Sequence, residues 1–204
     1  MSTQETLQLS TLTFNPALQQ SASTPPASFH FVNAQLKAIP GVSKIFLGRQ
    51  LEDPTKWTWA IRWKTGAALD AFQASPTYTE WLSSLRAVIT SIATSRAFMQ
   101  GDIGAALAAP CTEVFSAYGA DVGFLEKGMK PFSRCFDQSL MDGYKGLAFG
   151  QWHPMIHDGV NPPEGESASM LIGWDSKEAH LAQRGEGKSM SIPKHFPQVH
   201  RWRE

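Results

Sequence analysis

The run Trp57-Thr58-Trp59-Ala60-Ile61-Arg62-Trp63 places an indole or an isoleucine at every second position. Alternation of period two marks a strand with one buried face, and three indoles on that face demand a wide apolar partner. The partner follows at once in the chain. Thr65-Gly66 starts a helical run carrying Leu69 and Phe72, and Ser75-Pro76 restarts it, serine being a good N-cap and proline the favoured first helical residue. Tyr78, Trp81, Leu85, Val88 or Ile89, and Ile92 then recur at helical spacing, which predicts a helix running on to Ile92.

The rest of the chain is organised around this pair. Leu7 to Phe14 reads as a first strand, and Thr24-Pro25 opens a helix with Phe29, Val32, Leu36 and Ile39 on one face. His30, Asn33 and Lys37 fall on the neighbouring face. Pro40-Gly41 ends that helix, Val42 to Leu51 is a second strand, and Glu52-Asp53-Pro54 turns the chain into the tryptophan strand. Gly101 to Pro110 reads as a linker or crossover. Beyond it come a strand at Thr112 to Tyr118, a helix within Phe124 to Leu140, and strands at Tyr144 to Trp152 and Ser167 to Trp174. Asp175 and Glu178 then form an acidic capping box for a last helix through Ala179 and Leu181.

The order β-α-β-β-α thus occurs twice. Leu47-Gly48-Arg49-Gln50 matches Phe149-Gly150-Gln151-Trp152, and Ile61-Arg62-Trp63 matches Ile172-Gly173-Trp174, with about nine extra residues between the middle strands of the second half. An internal duplication follows, with units at 1–104 and 105–204. The added segment, His153 to Glu166, is expected to be a long loop, either a lid or a mobile connection.

Lys plus Arg balance Asp plus Glu, so the formal net charge is zero and the electrostatic footprint of a nucleic-acid or anionic-membrane binder is missing. A neutral or apolar ligand is expected. Cys111 and Cys135 lie far apart with no CxxC spacing, which argues against a disulfide framework or a cysteine zinc site. No stretch reaches the roughly 18 apolar residues of a membrane span, and a cytoplasmic protein is expected.

Gly41-Val42-Ser43-Lys44-Ile45-Phe46-Leu47-Gly48-Arg49-Gln50, then Trp59-Ala60-Ile61-Arg62-Trp63 and Ser75-Pro76-Thr77-Tyr78, resembles the antibiotic-biosynthesis-monooxygenase family of dimeric α/β barrels. It is most similar to fungal members in which two such units are fused. The resemblance implies an α+β fold of two ferredoxin-like (βαββαβ) units forming a dimeric-type α/β barrel, as a monomer with an internal pseudo-dimer or as a homodimer. It also implies a ligand cleft between sheet and helices, and chemistry that often needs no cofactor.

Two constellations fit such a cleft. Trp57, Trp59, Phe72, Trp81 and Leu85 could line an apolar cavity, with indole N–H and phenol O–H groups as polar handles; equally, aromatics at strand and helix period pack as plain core. His30, Asn33 and Tyr78 are the candidate catalytic groups: histidine as acid or base near neutral pH, asparagine to hold a carbonyl or enolate oxygen. His30 could as well be a surface residue. His153, His157, Asp158, Glu164 and Glu166 lack a recognised metal pattern, and Pro154, Gly159 and Pro162-Pro163 argue for a loop, so no metal site is expected. His180, at a helix start, suits a positional role as well as a chemical one. Arg134, Asp137 and Tyr144 could form a polar group on the second half's helix and strand, though they read better as ordinary surface charge, and the tail from His195 to Arg203 reads as a last strand or an arm.

Three functions remain open at this point. One is a cofactor-independent tailoring enzyme of fungal secondary metabolism that cyclises or rearranges a hydrophobic polyketide- or terpenoid-like intermediate. The second is a cofactor-free monooxygenase in which a phenolic substrate itself reduces oxygen. The third is a non-catalytic small-molecule carrier or stress-related binding module.

Overall fold

The computed structural model describes residues 5–137, 141–157 and 165–184. The chain divides into two compact units, the first comprising Met1–Phe98 with His153–Asn161 and the second Met99–Trp152 with Pro162–Glu204. The fold class is α+β, as the sequence implies.

In the first unit, β1 (Thr6–Phe14) is followed by α1 (Ala27–Lys37), β2 (Val42–Arg49), β3 (Lys56–Trp63), α2 (Gly66–Gln73), α3 (Pro76–Arg86) and β4, which begins at Ile89 and runs to Gly101. The strands stand in the order β2-β3-β1-β4, all antiparallel, which is the ferredoxin-like arrangement. Thr65 and Ser75 cap α2 and α3 through their hydroxyls, accepting from Ala68 N–H and Tyr78 N–H. These are the two helix starts that the cap residues predict.

Helical spacing misleads beyond Arg86. Val88, Ile89 and Ile92 do not extend α3; Ile89 and Ile92 belong to β4, whose Ile92 opposes Leu12 of β1. The segment Val88-Ile89-Thr90-Ser91-Ile92 is rich in β-branched residues, which favour the pleated surface of a sheet over the crowded turn of a helix.

In the second unit, α4 (Ile103–Ala108) precedes β5 (Cys111–Ala120), a π-helical turn at Leu125–Met129 leads into α5 (Lys130–Asp137), and β6 (Tyr144–His157), β7 (Glu166–Trp174) and α6 (Lys177–Ala182) follow. Its strands are ordered β6-β7-β5. The expected linker at 101–110 is in fact a helix capped by the Asp102 carboxylate, and its alanines, the best helix formers, explain why. The cap of α6 is Ser176, whose hydroxyl accepts from Ala179 N–H, and not Asp175, which pairs with Lys145 at 2.7 Å. The supposed loop from His153 to Glu166 is shorter than expected: His153–His157 continues β6 and Glu166 opens β7. Asp158 and Glu164, with the rest of that connection, and the tail from His195 to Arg203 lie outside the described residues.

The two units share local geometry at equivalent positions. Gly41 and Gly143 both have positive φ, 98° and 79°. Each carbonyl accepts from the residue after a tryptophan strand, Lys64 N–H and Asp175 N–H, at 2.8 Å. A Cβ at either glycine would lie 2.4 Å from Ala68 Cβ or 2.7 Å from Ala179 Cβ. Register shifts also recur, between Val42 and Lys44 and between Tyr144 and Gly146. Among the described residues no helix is long and apolar enough to cross a membrane.

Gly41→Ala therefore combines left-handed backbone strain with a clash, and is expected to lower the unfolding free energy by about 2 kcal/mol or more in urea titration. Gly48→Ala, where a Cβ meets nothing within 4 Å, is the neutral comparison.

Candidate functional site

The helix-facing side of the first sheet is set by register. Trp57, Trp59, Ile61 and Trp63 of β3 lie beside Leu12, Ser10, Gln8 and Thr6 of β1, and all eight are buried. The aromatic rings form one connected series. Phe14 meets Phe29 edge-on at 4.8 Å, Phe29 meets Trp59 at 5.1 Å, and Trp59 meets Trp81 at 6.0 Å. Trp81 then touches Phe72 at 5.5 Å, and Phe72 stacks on Trp63 at 5.6 Å. Trp57 sits at the other end, against Phe14 at 5.6 Å, and Leu85 is buried in the same core.

The central indoles have their N–H groups committed inside the unit. Trp59 donates to Asn33 Oδ1 at 3.2 Å, Trp63 to Gln8 Oε1 at 3.1 Å, and Trp81 to the Val32 carbonyl at 3.2 Å. Ser10 and Thr94 bond each other through their hydroxyls at 2.8 Å. These rings are walls whose polar ends are already tied down, a rigid backing more than a set of handles.

A hollow of about 500 Å³ opens at one end of this wall, a volume within the range of small-molecule sites. Ile39, Pro40 and Gly41 line it from the turn between α1 and β2. Ala68, Ala71 and Phe72 line it from α2, and Ser75 and Thr77 from the corner into α3. No side chain in this lining is ionisable, so the hollow suits an uncharged ligand and offers only hydroxyls as polar contacts.

The structure thus divides the residues that the sequence singles out. Phe72 lines the hollow. Tyr78, half-buried, meets Phe72 edge-on at 5.3 Å and Trp81 at 5.9 Å, directly beside Ser75 and Thr77. Asn33, Trp59 and Trp81 stand behind Phe72 as the backing. His30 is exposed on α1, seven residues before that helix ends at Lys37 and so roughly 10 Å along its axis from the turn that lines the hollow. Ile39, Ala68, Ala71 and Thr77 carry no chemical signal in the sequence. Their part arises only because two turns and a helix meet.

A second polar group lies in the second unit. Glu113 takes the place that Gln8 has in the first, since each opposes the isoleucine two residues before the last tryptophan of its neighbouring strand. Its carboxylate is 3.0 Å from His180 Nε2 and 2.7 Å from the Arg184 guanidinium, and His180 stacks on Trp174 at 5.5 Å. This group ties α6 to β5. His153 is exposed on β6 with Phe98 beside it at 6.1 Å, and Glu166 accepts from Gly123 N–H at 2.9 Å, so neither joins the other in a cluster. Tyr144 packs on Phe136 and Trp174, and Arg134 is exposed.

Residues 27–83 match the family model described as antibiotic biosynthesis monooxygenase. Among curated proteins, none matches the sequence. Of solved structures, an anthrone oxidase-like protein is similar at TM-score 0.60 and 14% identity, covering 93% of this chain and 81% of that one. A protein of Fusobacterium nucleatum assigned as a monooxygenase is similar at TM-score 0.56 and 9% identity, covering 89% and 80%. One of Lactobacillus acidophilus, likewise assigned, gives TM-score 0.50 and 11% identity, covering 88% and 80%. At these identities the likeness is one of fold, the ferredoxin-like α/β type.

Removing the Asn33 side chain leaves the buried Trp59 N–H without its acceptor. Asn33→Ala should therefore cost about 1–3 kcal/mol of stability. In a double-mutant cycle with Trp59→Phe, much of that cost should vanish, as measured by chemical denaturation.

Proposed function

We propose that this protein is a monooxygenase-type enzyme that needs no cofactor and oxidises a flat, uncharged, electron-rich phenolic molecule bound in the hollow beside Phe72. The observation that carries the reading is coincidence in sequence. The matched stretch, residues 27–83, contains every residue lining the hollow, together with Asn33, Trp59, Tyr78 and Trp81 behind and beside it.

The chemistry asks little of the protein's own acids and bases. An electron-rich phenol can itself reduce dioxygen: the ring C–H becomes C=O, the phenol oxygen becomes the second carbonyl, and the remaining oxygen atom leaves as water with both hydrogens. The protein's contribution is to hold the ring against the Phe72 face, exclude water on that side and keep one orientation toward oxygen. In this scheme Thr77, from the lining, and Tyr78, next to it in the chain, hydrogen-bond the developing carbonyl oxygen. His30, on the outer face of α1, has no part in this scheme. The finer role, tailoring a polyketide- or terpenoid-like intermediate in fungal secondary metabolism, rests on the motif resemblance over residues 41–85 and belongs to the same proposal.

The apolar wall also favours a second reading, in which it folds a flexible intermediate for cyclisation or rearrangement without oxygen. Oxygen uptake with a naphthol or an anthrone as probe separates the two. Uptake equal to product formed, faster than autoxidation and undiminished by a chelator, is expected. Ala71→Trp, which fills the hollow from an exposed helix position, should lower kcat/KM by about tenfold or more, a loss of about 1.4 kcal/mol in transition-state binding. Conversion that persists without oxygen would favour rearrangement; saturable binding with no turnover would make the protein a carrier.

A further inference from the structure

The second unit carries hydrogen-bond donors that its own residues do not use. Ala117 of β5 and Gln151 of β6 both oppose Ala168 of β7. One residue on, Tyr118 and Trp152 turn to the other face of the sheet, away from the core around Phe149, Met170 and Trp174. Their strands flank β7 and so lie about 9.6 Å apart, two strand spacings. Their ring centroids are nevertheless 6.1 Å apart at 55°, so the side chains lean together above β7. The positions on that face beneath and beside them are small: Ser167, and the row Ser116, Ser169 and Gly150. Two aromatic walls therefore stand over a floor with little bulk.

Trp152 is 8% exposed, and its Nε1–H has no hydrogen-bond partner. In the first unit the equivalent need is met within the chain, where Trp59, Trp63 and Trp81 each have an acceptor. A buried donor left unmade costs about 1–3 kcal/mol, which an arriving acceptor recovers. Tyr118 adds a second donor. Burial pushes its phenol above the ordinary tyrosine range, with the Ser116 hydroxyl bond opposing in part, so the O–H stays protonated at neutral pH. Tyr118 is only half-buried, which leaves one side of the pair open. Neither an acid nor a base stands among these residues.

We propose that Tyr118 and Trp152 form a binding site for a flat, uncharged molecule that presents an acceptor oxygen, such as a ring carbonyl, to the indole N–H and the phenol O–H. The site is separate from the hollow beside Phe72 and does not depend on the reaction assigned there. The indole N–H and the phenol O–H favour a carbonyl acceptor, and the two rings select a planar frame.

Chromone, a planar ring ketone, is the probe, and naphthalene is its counterpart of similar size without an acceptor. In a nitrogen–proton correlation spectrum, the Trp152 indole signal is the one that disappears in Trp152→Phe. It is expected to move downfield as chromone is added to the full-length protein and to stay in place with naphthalene. Tyr118→Phe, which removes a single oxygen, should weaken chromone binding about tenfold, the worth of one hydrogen bond. A Trp152 signal that stays put at saturating chromone overturns the proposal, as does an absence of chromone binding. Should Trp152→Phe not fold, Tyr118→Phe decides alone, and unchanged affinity in that variant is equally fatal.

Discussion

The first unit depends on a single requirement: three indoles on one strand must leave water together, and each central one must bring its N–H to an acceptor. Burying such rings supplies much of the apolar driving force of a small domain. An unmade bond on each would return a large part of it. The solution draws on two other elements: Gln8 of β1 accepts from Trp63 and Asn33 of α1 from Trp59, while the Val32 carbonyl of α1 takes Trp81 of α3. The position of α1 over the sheet, and with it the turn at Pro40-Gly41 that forms one side of the hollow, follows from those bonds as much as from apolar packing.

The second unit keeps the same scaffold and spends its polar groups differently. Trp174 holds the place of Trp63, yet its N–H is buried without an acceptor. Glu113, where Gln8 stands in the first unit, faces His180 and Arg184 instead. An amide can serve one indole; a carboxylate is drawn to the Arg184 guanidinium and to the imidazole beside it, and a charge so buried is retained only when paired. Where the first unit has an internal bond of the core, the second has a clamp on the last described helix. The glycines and register shifts give the two units the same local backbone at those positions.

Much of the fold was legible because its signals are local. Alternation on β3 and the caps at Thr65 and Ser75 are decided within a few residues, and they hold. The errors arise where two local signals compete. Val88 to Ile92 satisfies helical spacing and strand propensity alike, and pairing with β1 decides in favour of the strand. Asp175 and Ser176 are both good caps, and the lysine on β6 claims the aspartate. The hollow was legible only through Phe72. The rest of its lining, Ile39 apart, is alanine, proline, glycine and short hydroxyls, which become a surface only when separate turns meet, while Trp59 and Trp81 stand behind it.

The two-unit architecture carries a consequence for the gene as well as for the molecule. Met155 and Ile156, far along the second half of the sequence, pack against the aromatic core of the first unit. Each unit is therefore discontinuous in the chain. No single break in the coding sequence can release either one whole: a fragment ending near residue 104 would lack a piece of its own core. During synthesis the first unit can therefore close its core only after the chain has passed Ile156.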